Sequence, residues 1–344
     1  MEKIKLGKSG LVVTRPAFGA LPIQRAPMRE AVKILHRALD GGINFFDTAR
    51  FYTDSEKKLG AAFKGLRQNL IIASKSFGTN SAGIAADLKV TLYELQTDYL
   101  DLYQFHNPAT VPLPGDGTGR YEFLSGLKKN GIIRSIGITN HSLARAKQAI
   151  ESGLFDTLQF PFSLISTEEE QDLAAACKKA DMGFIAMKGL AGGLIDDIPA
   201  SVAFMGRFGN VVPIWGVQAM AELNQFLELA QDPPAWNDEM AARAKAVKDS
   251  LGSQFCRGCG YCLPCPQNID ITNIARMDRI LRRSPWQGYA SEDWFGRMKR
   301  AAGCINCGAC SSRCPYKLDT PALIAANVED YRRFMEEKGV VLPF

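Results

Sequence analysis

The chain has 344 residues, 46% of them hydrophobic and 22% charged, a composition typical of globular proteins with a buried core. No uninterrupted apolar run reaches the roughly 18 residues of a membrane span, and no apolar leader opens the chain, so we expect a cytoplasmic protein without membrane partners. The net charge of +5, with acidic and basic residues interspersed, gives no reason to expect nucleic acid as a partner.

Short β-rich runs alternate with helical stretches at a spacing of about 25 residues. A predicted hairpin over Ile4–Leu11 comes first, and we expect it to plug the floor of a barrel. The eight strand candidates that follow are Val12–Phe18, Asn44–Thr48, Leu70–Lys75, Leu100–His106, Ile133–Thr139, Leu158–Ser163, Gly183–Lys188 and Val211–Trp215. Eight βα units favour a closed parallel (β/α)8 TIM barrel over an open sheet, because closure leaves no unpaired edge.

Segments with helical apolar spacing follow the strands, for example Ala31–Leu39, Ala85–Leu95, Leu143–Ile150, Glu168–Lys179 and Ala219–Leu229. The rhythm stops at Asp232-Pro233-Pro234, because proline cannot continue a helix. We therefore predict a barrel over residues 1–232, a helical bridge over 233–250, a small, mainly helical domain over 251–320 and a closing helix and tail over 321–344.

Polar side chains stand near the ends of three successive predicted strands, where a TIM barrel places its chemistry. They are Asp47 and Tyr52 after strand two, Lys75 ending strand three and His106 ending strand four. Singly, each has an ordinary structural explanation, such as a helix cap for Asp47 or packing for Tyr52. Together they favour a proton-transfer site.

The four residue types suit the reduction of a carbonyl group. Lys75 is expected to bring the pKa of Tyr52 down towards neutrality, and Asp47 to keep Lys75 charged by pairing with it. His106 is expected to hydrogen-bond the substrate oxygen. A Schiff base at Lys75 is the competing interpretation, disfavoured because the adjacent carboxylate keeps the amine protonated.

Eight of the nine cysteines fall in two groups near the carboxy terminus. The first reads Cys256-x2-Cys259-x2-Cys262-x2-Cys265-Pro and the second Cys304-x2-Cys307-x2-Cys310-x3-Cys314-Pro. Two consecutive quartets, each closed by Cys-Pro, favour two 4Fe–4S clusters. A pair of zinc sites is the alternative, although zinc usually takes its ligands as two separated pairs.

The second group matches the pattern of the two-cluster ferredoxins, and the first differs by having x2 before its last cysteine. In those proteins the fourth cysteine of each group binds the other cluster. The resemblance therefore implies Cys256, Cys259, Cys262 and Cys314 for one cluster, and Cys304, Cys307, Cys310 and Cys265 for the other.

The first two thirds of the chain resemble the aldo-keto reductase family, and the whole chain resembles its subgroup with a ferredoxin-like 4Fe–4S extension. The matching segments are Gly42–Ala49 with Tyr52, Ser55-Glu56 and Leu59-Gly60, Ala73–Lys75, Asp98–His106 and Ile136–Asn140. The resemblance implies hydride transfer between a nicotinamide coenzyme, NAD(H) or NADP(H), and a small carbonyl or alcohol substrate. It also implies that the extension helps to wall the substrate pocket.

The same resemblance assigns coenzyme contacts. Thr139, Asn140 and Gln159 would hold the nicotinamide carboxamide, and a loop after strand seven would meet the pyrophosphate. That loop comprises Met187, Lys188, Gly189, Leu190 and Gly192. Met187 stands where many members have a stacking aromatic ring.

The segment after strand eight differs from the family pattern. Gly216 to Phe226 contains Gln218 and Glu222 but no basic residue for an adenosine 2′-phosphate. Because Glu222 would repel that phosphate and accept from a ribose hydroxyl, we predict NADH in preference to NADPH.

These features predict an oxidoreductase that reduces or oxidises a carbonyl or alcohol, with clusters passing electrons to or from a partner protein. The electrons can come from the nicotinamide or, bypassing it, from the clusters. A redox-sensing or regulatory binding protein with structural clusters and a residual barrel site is the alternative.

Overall fold

The computed structural model describes residues 1–251, 255–283 and 286–344. The chain divides into two compact units. The first comprises Met1–Leu190 and Asp197–Ala244, and the second comprises Ala191–Asp196 and Lys245–Phe344. No helix within the described ranges is long and apolar enough to cross a membrane.

The first unit is a closed barrel of eight parallel strands, which confirms the predicted fold class. The strands are β3 (Ala17–Gly19), β4 (Phe45–Asp47), β5 (Ile71–Ser76), β6 (Leu100–His106), β7 (Ile133–Thr139), β8 (Thr157–Pro161), β9 (Gly183–Met187) and β10 (Val211–Gly216). Each lies beside its neighbour in chain order, and β10 pairs with β3 to close the ring. Nearly every strand residue is buried, as expected where helices cover the outside of a parallel sheet.

The prediction for the first strand was wrong. Val12–Arg15 forms β2, which pairs antiparallel with β1 (Glu2–Lys5), and the barrel strand begins only at Ala17. Pro16 separates the two because it has no N–H for a sheet ladder. The hairpin is therefore made by β1 and β2, and the predicted hairpin range Ile4–Leu11 covers only the end of β1 and the turn. Leu6 and Leu11 pack with inward-facing barrel residues such as Phe45.

Helices alternate with the barrel strands. They are α1 (Met28–Asp40), α2 (Ser55–Ala62), α3 (Ser81–Leu95), α4 (Arg120–Lys129), α5 (Leu143–Ser152), α6 (Glu168–Lys179), α7 (Ile198–Gly206) and α8 (Met220–Gln231). The start of α6 shows how sequence sets a boundary. Thr167 Oγ1 accepts from the Glu170 N–H at 3.2 Å, and the Glu170 carboxylate accepts from the Thr167 N–H at 3.0 Å.

Helix α9 (Asp238–Leu251) runs from the first unit into the second and covers most of the predicted bridge. The remaining helices are α10 (Ile271–Ile274), α11 (Met277–Arg283), α12 (Glu292–Ala302), α13 (Ala309–Arg313) and α14 (Thr320–Glu337). Their core includes Met277, Met298 and Tyr331, together with the buried thiols of Cys256, Cys262 and Cys310. The cysteines are thus part of the packed interior of this unit.

Candidate active site and cluster sites

Four polar side chains come together where three neighbouring barrel strands end. Asp47 is the last residue of β4, Lys75 the second last of β5 and His106 the last of β6. Tyr52 lies in the loop that follows β4. Carboxyl ends of parallel strands meet at one face of a barrel, which is why residues far apart in sequence are neighbours here.

Lys75 is only 1% exposed, and its ammonium group is surrounded by oxygen acceptors. Nζ donates to Asp47 Oδ2 and to the Thr48 carbonyl, each at 2.6 Å, and also to the Tyr52 hydroxyl. Burial disfavours the charged amine, but Asp47 and Tyr52 together outweigh burial and raise the pKa of Lys75. The amine is therefore held as an ammonium, which does not suit a Schiff-base nucleophile.

The pKa of Tyr52 is shifted in the opposite direction to our expectation. Burial raises the pKa of Tyr52 above its ordinary value, while the charge and hydrogen bond of Lys75 oppose the rise. The contribution of Lys75 thus has the expected sign, but burial outweighs it. The phenol is protonated at neutral pH, the form needed to donate a proton to a carbonyl oxygen.

The ring of His106 is neutral. Burial and the positive charges of Lys75 and Lys188 hold the pKa of His106 well below its usual value. The ring stacks on Phe77 with centroids 4.0 Å apart and meets Tyr52 edge-on at 5.9 Å. A neutral imidazole has one N–H, so it can act beside the Tyr52 O–H as a second hydrogen-bond donor to one oxygen atom.

Gln104 is a member of this site that sequence reasoning missed. Its Nε2 donates to Gln159 Oε1 at 2.8 Å and to Asp47 Oδ1 at 3.3 Å, and it lies beside Lys75 in the β5–β6 register. A polar residue in a strand buried over its whole length, Leu100–His106, was the signal available. Gln104 couples the Asp47 carboxylate to the Gln159 amide.

Two aromatic residues at the same face were also missed. Phe51 is 72% exposed and Phe77 40%, and their rings meet edge-on at 5.1 Å. Because Phe77 also stacks on His106, the pair forms an apolar wall beside the proton-transfer groups. Their positions in the loops that follow β4 and β5 could have indicated this role.

The residues predicted for the carboxamide lie on adjacent strands. Thr139 pairs with Gln159 in the β7–β8 register, and the Asn140 N–H donates to the Gln159 carbonyl at 3.1 Å. Thr139 Oγ1 accepts from the Asn107 N–H, and Asn140 Oδ1 from the Ser142 N–H. These contacts hold the side chains of Thr139 and Asn140, and the Gln159 side chain is held by Gln104 and by Asp47 Oδ2 at 3.4 Å.

The loop predicted to meet the pyrophosphate is split between the units. Met187, Lys188, Gly189 and Leu190 belong to the first unit, and Gly192 to the second. Met187 is 9% exposed and packs in the barrel interior. A Cβ at Gly189 would lie 2.4 Å from the Trp215 ring, and the Gly192 carbonyl accepts from Arg276 Nη1 at 3.2 Å.

Glu222 caps the amino terminus of α8. Its carboxylate accepts from the N–H groups of Gln218 at 2.8 Å and Ala219 at 3.2 Å, while Gly216, at the end of β10, is exposed. The fold also places a basic side chain beside this segment, although that residue is distant in sequence. Arg25, from the segment after β3, donates to Gln218 Oε1 at 3.3 Å.

In the second unit, Cys265, Cys304, Cys307 and Cys310 line one cavity, whose remaining lining is mostly apolar. Within the described residues, no three potential ligands converge closely enough to hold a single metal ion. Four thiolates around one mostly apolar cavity are the ligand set of a cubane cluster. The cavity contains the whole set predicted for the second cluster.

The other predicted set is also close together. Burial raises the pKa of Cys256, and the charges of Cys259 and Cys314 add to the rise. Burial raises the pKa of Cys262 to about 12, with Cys259 and Cys256 acting in the same direction. The charge of Cys314 thus raises the pKa of Cys256 although Cys314 belongs to the second group in sequence, and the charge of Cys310 likewise raises the pKa of Cys262. Gly258, between Cys256 and Cys259, has a φ of +61°, a backbone conformation that favours glycine. A Cβ there would lie 2.8 Å from the Arg276 guanidinium.

Models of two protein families match the chain. The aldo/keto reductase family matches residues 17–207, and a 4Fe-4S dicluster domain matches residues 255–319. The first match covers the barrel strands up to β9, and the second covers all eight clustered cysteines.

Curated relatives agree with the first match. The uncharacterized oxidoreductase YqkF of Bacillus subtilis is 29% identical over 59% of this chain and 69% of its own length. L-galactose dehydrogenase of Arabidopsis thaliana is 31% identical over 57% and 69%. Methylglyoxal reductase DkgA of Salmonella typhimurium is 31% identical over 40% of this chain, and this chain spans about half (49%) of its length.

Solved structures share the barrel. The holo form of the aldo-keto reductase AKR11C1 from Bacillus halodurans superposes with a TM-score of 0.63 at 21% identity, covering 72% of this chain and 96% of that one. A Klebsiella pneumoniae aldo-keto reductase in complex with NADPH gives 0.62 at 22%, covering 72% and 95%. With the family match covering more than half of the chain, the protein belongs to the aldo/keto reductase family and carries a 4Fe-4S dicluster domain in its carboxy-terminal part.

Proposed function

We propose that this oxidoreductase interconverts a small carbonyl compound and its alcohol at the site formed by Asp47, Tyr52, Lys75 and His106. The observation that carries the proposal is that the buried ion pair of Asp47 and Lys75 lies next to the half-buried Tyr52, with Lys75 Nζ 5.1 Å from the Tyr52 ring centroid. In reduction, a carbonyl oxygen accepts hydrogen bonds from the Tyr52 hydroxyl and the neutral His106. As hydride reaches the carbonyl carbon, Tyr52 gives its proton to the oxygen, and the Lys75 ammonium stabilises the phenolate.

Nicotinamide, when bound, supplies that hydride, and Thr139, Asn140 and Gln159 suit its carboxamide. We propose NADH in preference to NADPH. Glu222 accepts from the N–H groups of Gln218 and Ala219 just before α8, so these two donors are not free to bind a phosphate. Arg25 acts in the opposite direction, because a guanidinium beside Gln218 attracts a 2′-phosphate. We expect the Glu222 cap to prevail because it adds negative charge as well as filling the donors.

Two 4Fe–4S clusters, bound by the cysteine sets described above, would each carry one electron when present. Where the clusters and not the nicotinamide feed the site, two cluster electrons, one proton from Tyr52 and one from solvent would together reduce the carbonyl. We propose that they exchange these electrons with a partner protein.

Anaerobic assays of the iron-loaded protein test the proposal. Turnover of small aldehydes is measured with NADH, NADPH and a reduced low-potential donor. Tyr52→Phe is expected to lose about 10²- to 10⁴-fold in rate. Tyr93→Phe, at a residue 80% exposed, is the control and is expected to retain full activity. NADH turnover that is unaffected by cluster loss would make the clusters structural.

A redox-sensing or regulatory role is the second candidate. The observation that favours it is that the groups predicted to bind coenzyme already have protein partners, Gln159 with Gln104 and Glu222 with Gln218. Tyr52→Phe with no loss in any redox assay would support this role over catalysis.

A further inference from the structure

The loop of the second cysteine group lies at the surface of the second unit. Cys307 is exposed and the neighbouring Ile305 is 60% exposed. The second group also has a buried member, Cys310, but none of the four cysteines of the first group is exposed. Cys256 and Cys262 are buried, and Cys259 and Cys265 are half-buried. Electrons tunnelling to or from another protein would therefore have their shortest route through the second group.

The surface around Cys307 combines exposed apolar side chains with a fixed cation. Arg313 lines the same cavity as Ile305 and Cys307, and its Nη2 donates to the Pro264 carbonyl at 2.9 Å. Pro264 follows Leu263, which is 39% exposed. We call the surface made by Leu263, Pro264, Ile305, Cys307 and Arg313 the exposed cluster face.

Positive charge predominates in the chain segments that carry this face. Residues 255–269 and 294–318 contain six basic residues and no acidic one: Arg257, Arg297, Lys299, Arg300, Arg313 and Lys317. Arg297 is paired with Asp270 and Asp293, each at 2.9 Å, so its charge does not contribute to this excess. Lys299 and Arg300 are exposed in the last turn of α12, just before Cys304, and Lys317 is exposed just after Cys314. The groove beside Cys304 and Asn306 also contains Asp319 and Glu329 with Arg332, so the positive charge is not uniform.

We propose that the exposed cluster face docks a small, acidic, one-electron carrier protein. This inference rests on the proposed function, in which the clusters exchange electrons with a partner. A small apolar centre with a charged rim suits the weak, short-lived encounters of electron-transfer proteins, and opposite charge accelerates their association. In each encounter the carrier loses one electron and this protein gains one, with no bond made or broken.

The test uses the whole chain loaded with iron and sulfide under anaerobic conditions. An acidic ferredoxin is the probe: its oxidised form is titrated calorimetrically, and its reduced form is mixed by stopped flow while cluster bleaching is followed. The double variant Lys299→Glu/Lys317→Glu is compared with Lys64→Glu/Lys89→Glu, which makes the same charge change at exposed barrel residues. Reduced methyl viologen, a small cation, reports whether the clusters can be reduced at all.

We expect the reduction rate with ferredoxin to fall about tenfold or more in the first double variant, with weaker binding and a flatter dependence on ionic strength. Rates with methyl viologen and the cluster midpoint potential should change little. Equal slowing in the barrel variant would overturn the proposal, since net charge alone would then explain the effect. A shifted potential with unchanged ferredoxin binding would also overturn it, since the basic residues would then only tune the clusters.

The same measurements separate this inference from the proposed function. A wild-type protein whose clusters are reduced by methyl viologen, but which neither binds ferredoxin nor shows salt-dependent reduction by it, contradicts the docking surface alone. A wild-type protein without iron and sulfide contradicts the cluster assignment itself.

Discussion

Lys75 sets the protonation of the groups around it. It is buried, donates to Asp47, to the Thr48 carbonyl and to Tyr52, and lowers the pKa of both Tyr52 and His106 by its charge. Burial raises the pKa of Tyr52, and the charge of Lys75 opposes that rise. Burial lowers the pKa of His106, and the charge of Lys75 lowers it further. Proton donation from Tyr52 and hydrogen bonding from a neutral His106 both depend on it.

The pH profile of carbonyl reduction follows from these directions. Tyr52 donates only while protonated, so activity should be lost as pH rises through its pKa, which burial places above the ordinary value. Lys75→Met removes a charge that lowers this pKa, so the alkaline limb should move to higher pH while kcat falls. No loss from protonation of His106 is expected between pH 8 and about 6.5, its ordinary pKa. A pH–rate series on both proteins checks this, and a limb that moves to lower pH in the variant would contradict it.

Gln104 is expected to position the coenzyme-binding amide. In Gln104→Leu the Gln159 Oε1 loses its donor at 2.8 Å, so the Gln159 side chain is held only by its long hydrogen bond of 3.4 Å to Asp47 Oδ2. Nicotinamide binding should weaken by about 1–2 kcal/mol, roughly 5- to 30-fold, with a smaller effect on kcat. Fluorescence titration measures the binding. Gln148→Leu, at an exposed residue of α5, is the control, and equal affinities in all three proteins would remove this role from Gln104.

At the scale of elements, glycines determine how closely strands and helices approach. A Cβ at Gly137 in β7 would lie 2.4 Å from Thr157 Oγ1 and 2.8 Å from Gln104 Cγ. This glycine therefore leaves the space that the inward side chains of β6 and β8 occupy. Gly60 does the same between helices, because its Cβ would lie 2.1 Å from the Glu94 carbonyl at the end of α3.

Two alanine substitutions test this packing in opposite directions. Gly60→Ala should destabilise the protein by about 1–3 kcal/mol, since α2 and α3 would have to move apart. Gly126→Ala, in the interior of α4 with nothing within 4 Å of the added carbon, should stabilise it by about 0.5–1 kcal/mol. Thermal unfolding midpoints under identical anaerobic conditions provide the comparison. A destabilised Gly126→Ala or an unaffected Gly60→Ala would be inconsistent with these contacts.

At the scale of the whole molecule, the second unit has a core that includes its own candidate ligands. Cys256, Cys262 and Cys310 are buried among its helices. Thiolates in such surroundings are stable only when paired with cations, because burial alone raises their pKa. Cluster binding and folding of this unit should therefore be coupled.

Iron removal is expected to affect the two units differently. The anaerobically purified protein should contain about eight iron and eight sulfide ions per chain, and Cys259→Ala about half of that. Stripping the iron should open residues 245–344 to limited proteolysis while the barrel stays resistant. Cys177→Ala, on α6 and outside both cysteine groups, should keep its full iron content. Zinc without iron, or full iron in Cys259→Ala, would contradict the ligand assignment.

The sequence by itself determined the barrel, most strand boundaries to within about two residues, the cysteine quartets and the four polar residues at the strand ends. These features are local: apolar periodicity, turn residues and ligand spacing can be recognised within a few positions of the chain. The early break at Pro16 was equally local, and attention to its missing N–H would have found it.

Only the tertiary structure decided which side chains meet across strands. Gln104 reaches Gln159 and Asp47 through the register of β6, and Arg25 reaches Gln218 although 193 residues separate them. The net direction of the Tyr52 pKa was equally hidden, because burial, which outweighs the charge of Lys75, exists only once the barrel has closed. Register, burial and the position of distant charges are properties of the folded chain, so no local pattern in the sequence encodes them.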